Sequence, residues 1–121
     1  MAGSTRLAAP NSLVLLMDAN GGEIPESLGG HFVAATESCV AVGCKSEVEG
    51  DTEIVLGWAT DVDPGRNPDF EERMETPSRR VAVKSVYGTT LLELTIPEEE
   101  VVVRIWVNDA NEPDLVIFGL V

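Results

Sequence analysis

The chain has 121 residues, and its 21 acidic side chains against 8 basic ones give a formal net charge of −13. A surface of this sign repels phosphate, so it argues against direct binding to nucleic acid or to an anionic membrane. The length fits one domain, and 44% hydrophobic residues with only 5% aromatics predict a core of Val, Leu, Ile and Ala. No apolar run approaches the roughly 18 residues that span a bilayer or forms a signal-peptide core, so we expect a cytoplasmic protein.

The first half of the chain predicts short strands after a flexible N-terminal arm over residues 1–10. Leu13 to Met17 is apolar throughout, which is typical of a central strand covered on both faces. Residues 18–30 are rich in glycine and are expected to form a loop. From position 38 apolar residues recur at every second position, and residues 38–46 and 54–58 are predicted to form a hairpin.

The second half repeats this pattern. Residues 81–85 and 92–96 are predicted to form a second hairpin, and the alternating run from Val101 to Val107 forms another strand. Leu115 to Val121 is again apolar at nearly every position and is expected to be central. Between these elements, residues 61–78 lack a strand pattern and are expected to form a long loop. Together the pattern predicts a single all-β domain over 11–121, an antiparallel β-sandwich of about seven or eight short strands.

Cys39 and Cys44 are five positions apart, so in one extended strand they would point to opposite faces and could not bond. A lone pair of cysteines also lacks the usual zinc spacing. We therefore expect two buried or half-buried thiols, and neither a disulfide nor a metal pair.

The long loop offers one candidate metal site. Its oxygen-bearing side chains fall at positions 1, 3, 7, 9 and 12 of an EF-hand-like calcium loop. These residues are Asp61, Asp63, Asn67, Asp69 and Glu72. Position 5 has no side-chain oxygen, Arg66 replaces the glycine of position 6, and neither flank is helical, so the pattern favours a solvated acidic loop. We expect no cofactor, and a calcium-binding β domain stays an alternative.

Signals for catalysis are sparse. His31 is the single histidine, so a Ser/His/Asp or Cys/His mechanism would have to use it. No GxSxG nucleophile elbow and no phosphate-binding glycine motif is present. The sequence favours a structural histidine and a non-catalytic protein, with a small hydrolase as the second alternative.

The acidic residues have two interpretations, because they can keep a valine-rich domain soluble or attract a basic protein partner. The candidate partner-binding residues lie in the long loop and after Pro97. They are Asp61, Asp63, Asp69, Glu71, Glu72, Glu98, Glu99 and Glu100.

A resemblance to a known family involves the same region. Ile96-Pro97, three acidic residues and the strand from Val101 to Val107 with its Trp106 resemble the Leu-Pro turn, strand and tryptophan of the competence protein J family, small bacterial inhibitors of a DNA-entry nuclease. The strand at 79–83, which precedes this region, and the strand at 115–121, which follows it, also fall in an order similar to that of the family. The resemblance implies a β-sandwich that binds and blocks a nuclease. We therefore expect an acidic binding protein of the nuclease-inhibitor or immunity type, with its oligomeric state open.

Overall fold

The computed structural model describes residues 3–121 and contains ten strands in these residues. In chain order they are β1 (Gly3–Leu7), β2 (Leu13–Asp18), β3 (Val33–Ala35), β4 (Cys39–Gly43), β5 (Thr52–Trp58), β6 (Phe70–Glu75), β7 (Arg80–Lys84), β8 (Thr90–Thr95), β9 (Glu100–Val107) and β10 (Leu115–Leu120). A 3-10 turn at Pro10–Ser12 and one short helix, α1 (Ala59–Val62), complete the regular structure. Within residues 3–121, neither helical segment has the length and apolarity to cross a membrane.

The strands form two five-stranded sheets, which confirms the predicted all-β sandwich. Sheet 1 has the order β1-β5-β10-β9-β6, and sheet 2 has the order β3-β4-β2-β7-β8. Period-two alternation turns one face of each strand inward, so the core between the sheets is mainly aliphatic, as the composition predicts. Its fully buried members include Val14, Leu16, Ile54, Leu56, Val103, Ile105, Val116 and Phe118. Each such side chain contributes on the order of 1.5–3 kcal/mol by leaving water.

The two continuous apolar runs are central strands, as predicted. β2 lies between β4 and β7, and β10 lies between β5 and β9. On the outer face of sheet 2, Leu15, Met17, Cys39 and Ala41 form a second buried cluster against Leu28 of the β2–β3 loop. The loop predicted from its glycines therefore covers the outer face of β2, which is why both faces of that strand are apolar.

One predicted hairpin is wrong, and one strand pair departs from the expected antiparallel arrangement. β4 and β5 belong to different sheets, so residues 38–46 and 54–58 do not form a hairpin. The connection instead crosses the sandwich, and the Lys45 N–H donates to the Pro113 carbonyl at 2.8 Å. β10 pairs with β5 in parallel, whereas every other strand pair is antiparallel. By contrast, β7 and β8 pair as the predicted second hairpin.

Segments predicted as arm and loop also contain strands. Within the expected N-terminal arm, residues 3–7 pair with β5 as strand β1, and the Leu7 side chain packs against the core. Met1 and Ala2 lie outside the described residues. Within the expected long loop, the structure places α1 and β6. β1 and β6 are the two edge strands of sheet 1, and an edge strand buries few side chains, so its hydrophobic alternation is weak.

Candidate functional site: an acidic edge and an adjacent strap

Residues 59–69, which we call the strap, cross the outer face of sheet 1. They cover Trp106, which points away from the core yet is only 1% exposed. The Trp106 indole N–H donates to the Arg66 carbonyl at 2.8 Å, and the Arg66 guanidinium donates to the Val107 carbonyl at 2.7 Å. A Cβ placed on Gly119 would lie 2.7 Å from a ring carbon of Trp106, so a glycine is needed beneath the ring. The strap thus covers the indole ring of Trp106, while most of its own side chains are exposed, as expected for a solvated acidic loop.

Asp69 holds the end of the strap in place. Its two carboxylate oxygens accept hydrogen bonds from the two Arg66 guanidinium nitrogens at 3.0 Å each, and one of them also accepts from the Val107 N–H at 2.9 Å. These bonds, the Arg66 contact first, lower the pKa of Asp69 below its ordinary value. Asp69 was expected to contact a partner or calcium, but in the folded chain its carboxylate is engaged internally.

The other proposed calcium ligands are not brought together. Asp63 accepts a hydrogen bond from the Gly65 N–H at 2.6 Å, within the strap. Glu72 lies on β6, opposite Val103 of β9. Among residues 3–121, no three His, Cys, Asp or Glu side chains are grouped closely enough to hold a metal ion. The EF-hand-like spacing of Asp61, Asp63, Asn67, Asp69 and Glu72 therefore does not bring three of its carboxylates into one group within residues 3–121.

Because the pKa of Asp69 is lowered in the folded chain, we expect the stability that Asp69 contributes to depend on pH. A carboxyl group whose pKa is lower in the folded than in the unfolded chain stabilises the fold above its unfolded value of about 4 and loses that effect as the pH falls through the folded value. We expect Asp69→Asn to lower the melting temperature by a few degrees at neutral pH, and the difference from the unmodified protein to shrink below about pH 4. Glu112→Gln, at an exposed position, is the control. A difference that stays constant from neutral to acid pH would contradict this role of Asp69.

Most of the predicted partner-binding carboxylates gather on one side of the sandwich, around β6. With two further residues they form what we call the acidic edge. It consists of Glu37, Glu71, Glu72, Glu75, Glu98, Glu99 and Glu100, all of them exposed. Of the predicted set, Glu71 and Glu72 come from β6, and Glu98 to Glu100 come from the β8–β9 turn and the start of β9. Asp61 and Asp63 lie apart from it, on the strap.

Hydrogen bonds from Thr76 to main-chain carbonyls hold the acidic edge together. Thr76 is fully buried; its N–H donates to the Glu99 carbonyl at 2.8 Å, and its hydroxyl donates to the Glu98 carbonyl at 3.2 Å. Glu75 and Glu100 are opposite each other in the β6–β9 pair. These contacts fix the turn that carries three carboxylates against the end of β6, so their side chains project from an ordered backbone.

Few basic groups neutralise the acidic edge. Arg73 pairs with Glu100 at 2.9 Å, and Arg104 pairs with Glu71 at 2.9 Å. The remaining members make no ion pair with any residue in the described range 3–121. These are Glu37, Glu72, Glu75, Glu98 and Glu99. Carboxylates that make no ion pair can accept strong hydrogen bonds from lysine and arginine, so the surface is suited to a cationic partner.

Glu37 and Glu75 are the members that the sequence candidates omitted. Glu75 could have been found from β6, since Phe70, Glu72 and Met74 alternate with Glu71, Arg73 and Glu75. Glu37 gives no such signal. Glu37 is brought to the acidic edge by a contact between the two sheets, in which the Glu75 N–H donates to the Glu37 carbonyl at 2.7 Å.

The residues considered for nucleophilic chemistry are one exposed histidine and two buried thiols. His31 is exposed, and its side chain has no hydrogen bond to any described residue. Cys39 and Cys44 are buried free thiols, as predicted. Burial raises the pKa of Cys39 to about 11 and also raises that of Cys44, which disfavours the reactive thiolate. The geometry therefore offers no support for the hydrolase alternative.

Comparison with known proteins gives a likeness of fold. No family model matches the chain, and no curated protein is similar to it. Among solved structures, the chain is similar to ComJ, inhibitor of the DNA degrading activity of NucA, from Bacillus subtilis, with a TM-score of 0.70 and 8% identity over 98% of this chain and 93% of that one. It is also similar to the protein of crocagin biosynthetic gene J, with a TM-score of 0.56 and 13% identity over 99% of this chain and 96% of that one. The resemblance to the competence protein J family predicted from the sequence is thus confirmed in the fold.

Proposed function

We propose that this protein is a non-catalytic inhibitor that binds a basic nuclease through the acidic edge. The observation that carries the proposal is the cluster of seven exposed carboxylates, five of them without an ion pair in the described chain. The fold supports it, since ComJ has the same architecture and inhibits the DNA degrading activity of a nuclease.

Electrostatics explain how such a surface could block a nuclease. An enzyme that binds DNA presents lysine and arginine side chains to phosphate oxygens, and carboxylates can accept the same hydrogen bonds. The net charge of −13 exceeds the magnitude of about 2–8 that is typical for solubility of a small domain. This excess negative charge raises the association rate with a basic partner, most strongly at low ionic strength.

The proposal is tested by measuring binding to a NucA-like nuclease from the same genome over a range of salt concentrations. We expect complex formation at low salt, an association rate that falls as salt screens charges beyond about 8–10 Å, and competition by duplex DNA for the same nuclease surface. A salt-insensitive complex that forms equally well on DNA-bound nuclease would contradict the acidic edge as the contact surface. The absence of any complex at low salt would remove the inhibitor function itself.

A further inference from the structure

The acidic edge also contains a strand with an unpaired side. β6 is the last strand of sheet 1, and β3 is the last strand of sheet 2 on the same side of the sandwich. The Glu75 N–H donates to the Glu37 carbonyl, which joins the two sheets at one end of this side. Elsewhere β3 and β6 are not paired, and a groove lies between them.

The hydrogen bond from the Glu75 N–H to the Glu37 carbonyl shows in which direction the free backbone groups of β6 point. In an antiparallel pair, the N–H and C=O groups of successive residues point alternately to the partner strand and away from it. Since the Glu75 N–H points away from β9, the N–H groups of Arg73 and Glu71 point the same way. No backbone bond from these two N–H groups to another described residue replaces the missing strand. β6 therefore presents a row of donors and acceptors that could pair with one more strand.

On the opposite side of the sandwich, the two edge strands β1 and β8 lie close together. There β1 packs against β8, and a Cβ placed on Gly3 would lie 3.3 Å from the Leu92 side chain. The two sides also differ in charge, because β1 carries no acidic residue in Gly3–Leu7 whereas β6 carries three in Phe70–Glu75. An unpaired edge and a high density of carboxylates thus coincide on the β6 side.

We propose that the partner adds a short extended basic segment to β6, as a sixth strand of sheet 1. This inference rests on the proposed function and specifies how the acidic edge is used. Pairing by β-strand addition takes its affinity from main-chain hydrogen bonds and its specificity from alternate side chains. Glu72 lies on the groove side of β6, whereas Glu71 and Glu75 lie on the outer side, so alternate lysine or arginine residues would meet carboxylates on both faces.

The same charges select against the other occupant of a free edge, a second copy of this chain. Two β6 strands placed side by side would bring like-charged acidic edges together, which is unfavourable and is a usual protection against edge-to-edge association. A basic segment meets no such barrier. The new strand would be short, because the Glu75 N–H is already bound to Glu37 and pairing is open at Glu71 and Arg73.

A matched pair of substitutions at Arg73 tests this inference. Arg73→Pro removes the outward N–H without removing a bond to β9, since proline is tolerated at an edge position whose N–H faces solvent. Arg73→Gln removes the same charge and keeps the N–H. If charge alone binds the partner, both variants should bind a NucA-like nuclease equally, and at least as well as the unmodified protein. If β6 pairs with a partner strand, Arg73→Pro should bind about tenfold more weakly than Arg73→Gln, the loss of one hydrogen bond.

Equal binding by the two variants would overturn the strand addition and leave the proposed inhibitor function standing, since the unmodified protein would still bind. Circular dichroism and melting curves of both variants verify that the fold survives. If Arg73→Pro does not fold, amide hydrogen exchange of the unmodified complex decides. Protection of the Glu71 and Arg73 amides on nuclease binding supports the inference, and unchanged exchange at both overturns it.

Discussion

Replacing Glu98, Glu99 and Glu100 together by glutamine is expected to slow association with a basic nuclease about tenfold at low salt, with a much smaller change in dissociation. The reason is that exposed charges at the rim of an interface act mainly on the rate of encounter. Glutamine keeps the size and polarity of each side chain, and all three positions are exposed, so the free energy of unfolding should change by no more than about 1 kcal/mol. Stopped-flow measurements of both rates at low and high salt test this expectation.

The chain offers a matched control for that triple substitution. Glu47, Glu49 and Asp51 precede β5, whereas the Glu98–Glu100 turn precedes β9, which runs opposite to β10 and hence to β5. The two acidic groups therefore lie at opposite ends of the sandwich. Neutralising the control triple removes the same charge, so equal slowing by both triples would show that net charge matters and the acidic edge does not. Equal rates for the edge triple and the unmodified protein would exclude this turn as a contact.

Trp106→Ala is expected to have the largest effect on stability. Trp106 is 1% exposed beneath the strap, and truncating a buried tryptophan to alanine typically costs about 3–5 kcal/mol. The change also removes the bond from the indole N–H to the Arg66 carbonyl, so the strap should open and become sensitive to proteases. Trp106→Phe fills most of the space but lacks the N–H, so it should cost much less.

Urea unfolding and limited proteolysis of the three forms test the strap. We expect cleavage within residues 59–69 in the alanine variant and little cleavage there in the unmodified protein. A loss below about 1 kcal/mol in Trp106→Ala, comparable to an exposed substitution, would contradict the packed position of the ring.

Hydrophobic patterning predicted the elements that bury most surface. β2 and β10 were identified as central strands because their apolar runs are uninterrupted, and the β7–β8 hairpin because both arms alternate. Patterning does not encode which strands are neighbours, so the separation of β4 from β5 and the parallel β5–β10 pair could not be obtained this way. The six residues of β6 contain four charged side chains, so the sequence shows no strand pattern there. The strand forms because β6 pairs with β9.

The candidate site was predictable to a similar degree. Charge clustering identified Glu71, Glu72 and the Glu98–Glu100 turn, but only the β6–β9 register brings these two groups together. Asp69 shows the opposite case. In the sequence it resembles the other loop carboxylates, and its role depends on Arg66 and on the Val107 N–H, a contact between residues 38 positions apart.

The most direct test of the account is a titration of nuclease activity on a fluorescent DNA duplex with the purified protein at low salt. An inhibitor acting through the acidic edge should abolish cleavage at a one-to-one ratio to the nuclease, and inhibition should weaken as salt is raised. The Glu98, Glu99 and Glu100 triple variant should require more protein for the same inhibition. Unchanged cleavage by a basic NucA-like nuclease from the same genome, at a large excess of protein and low salt, would contradict the account.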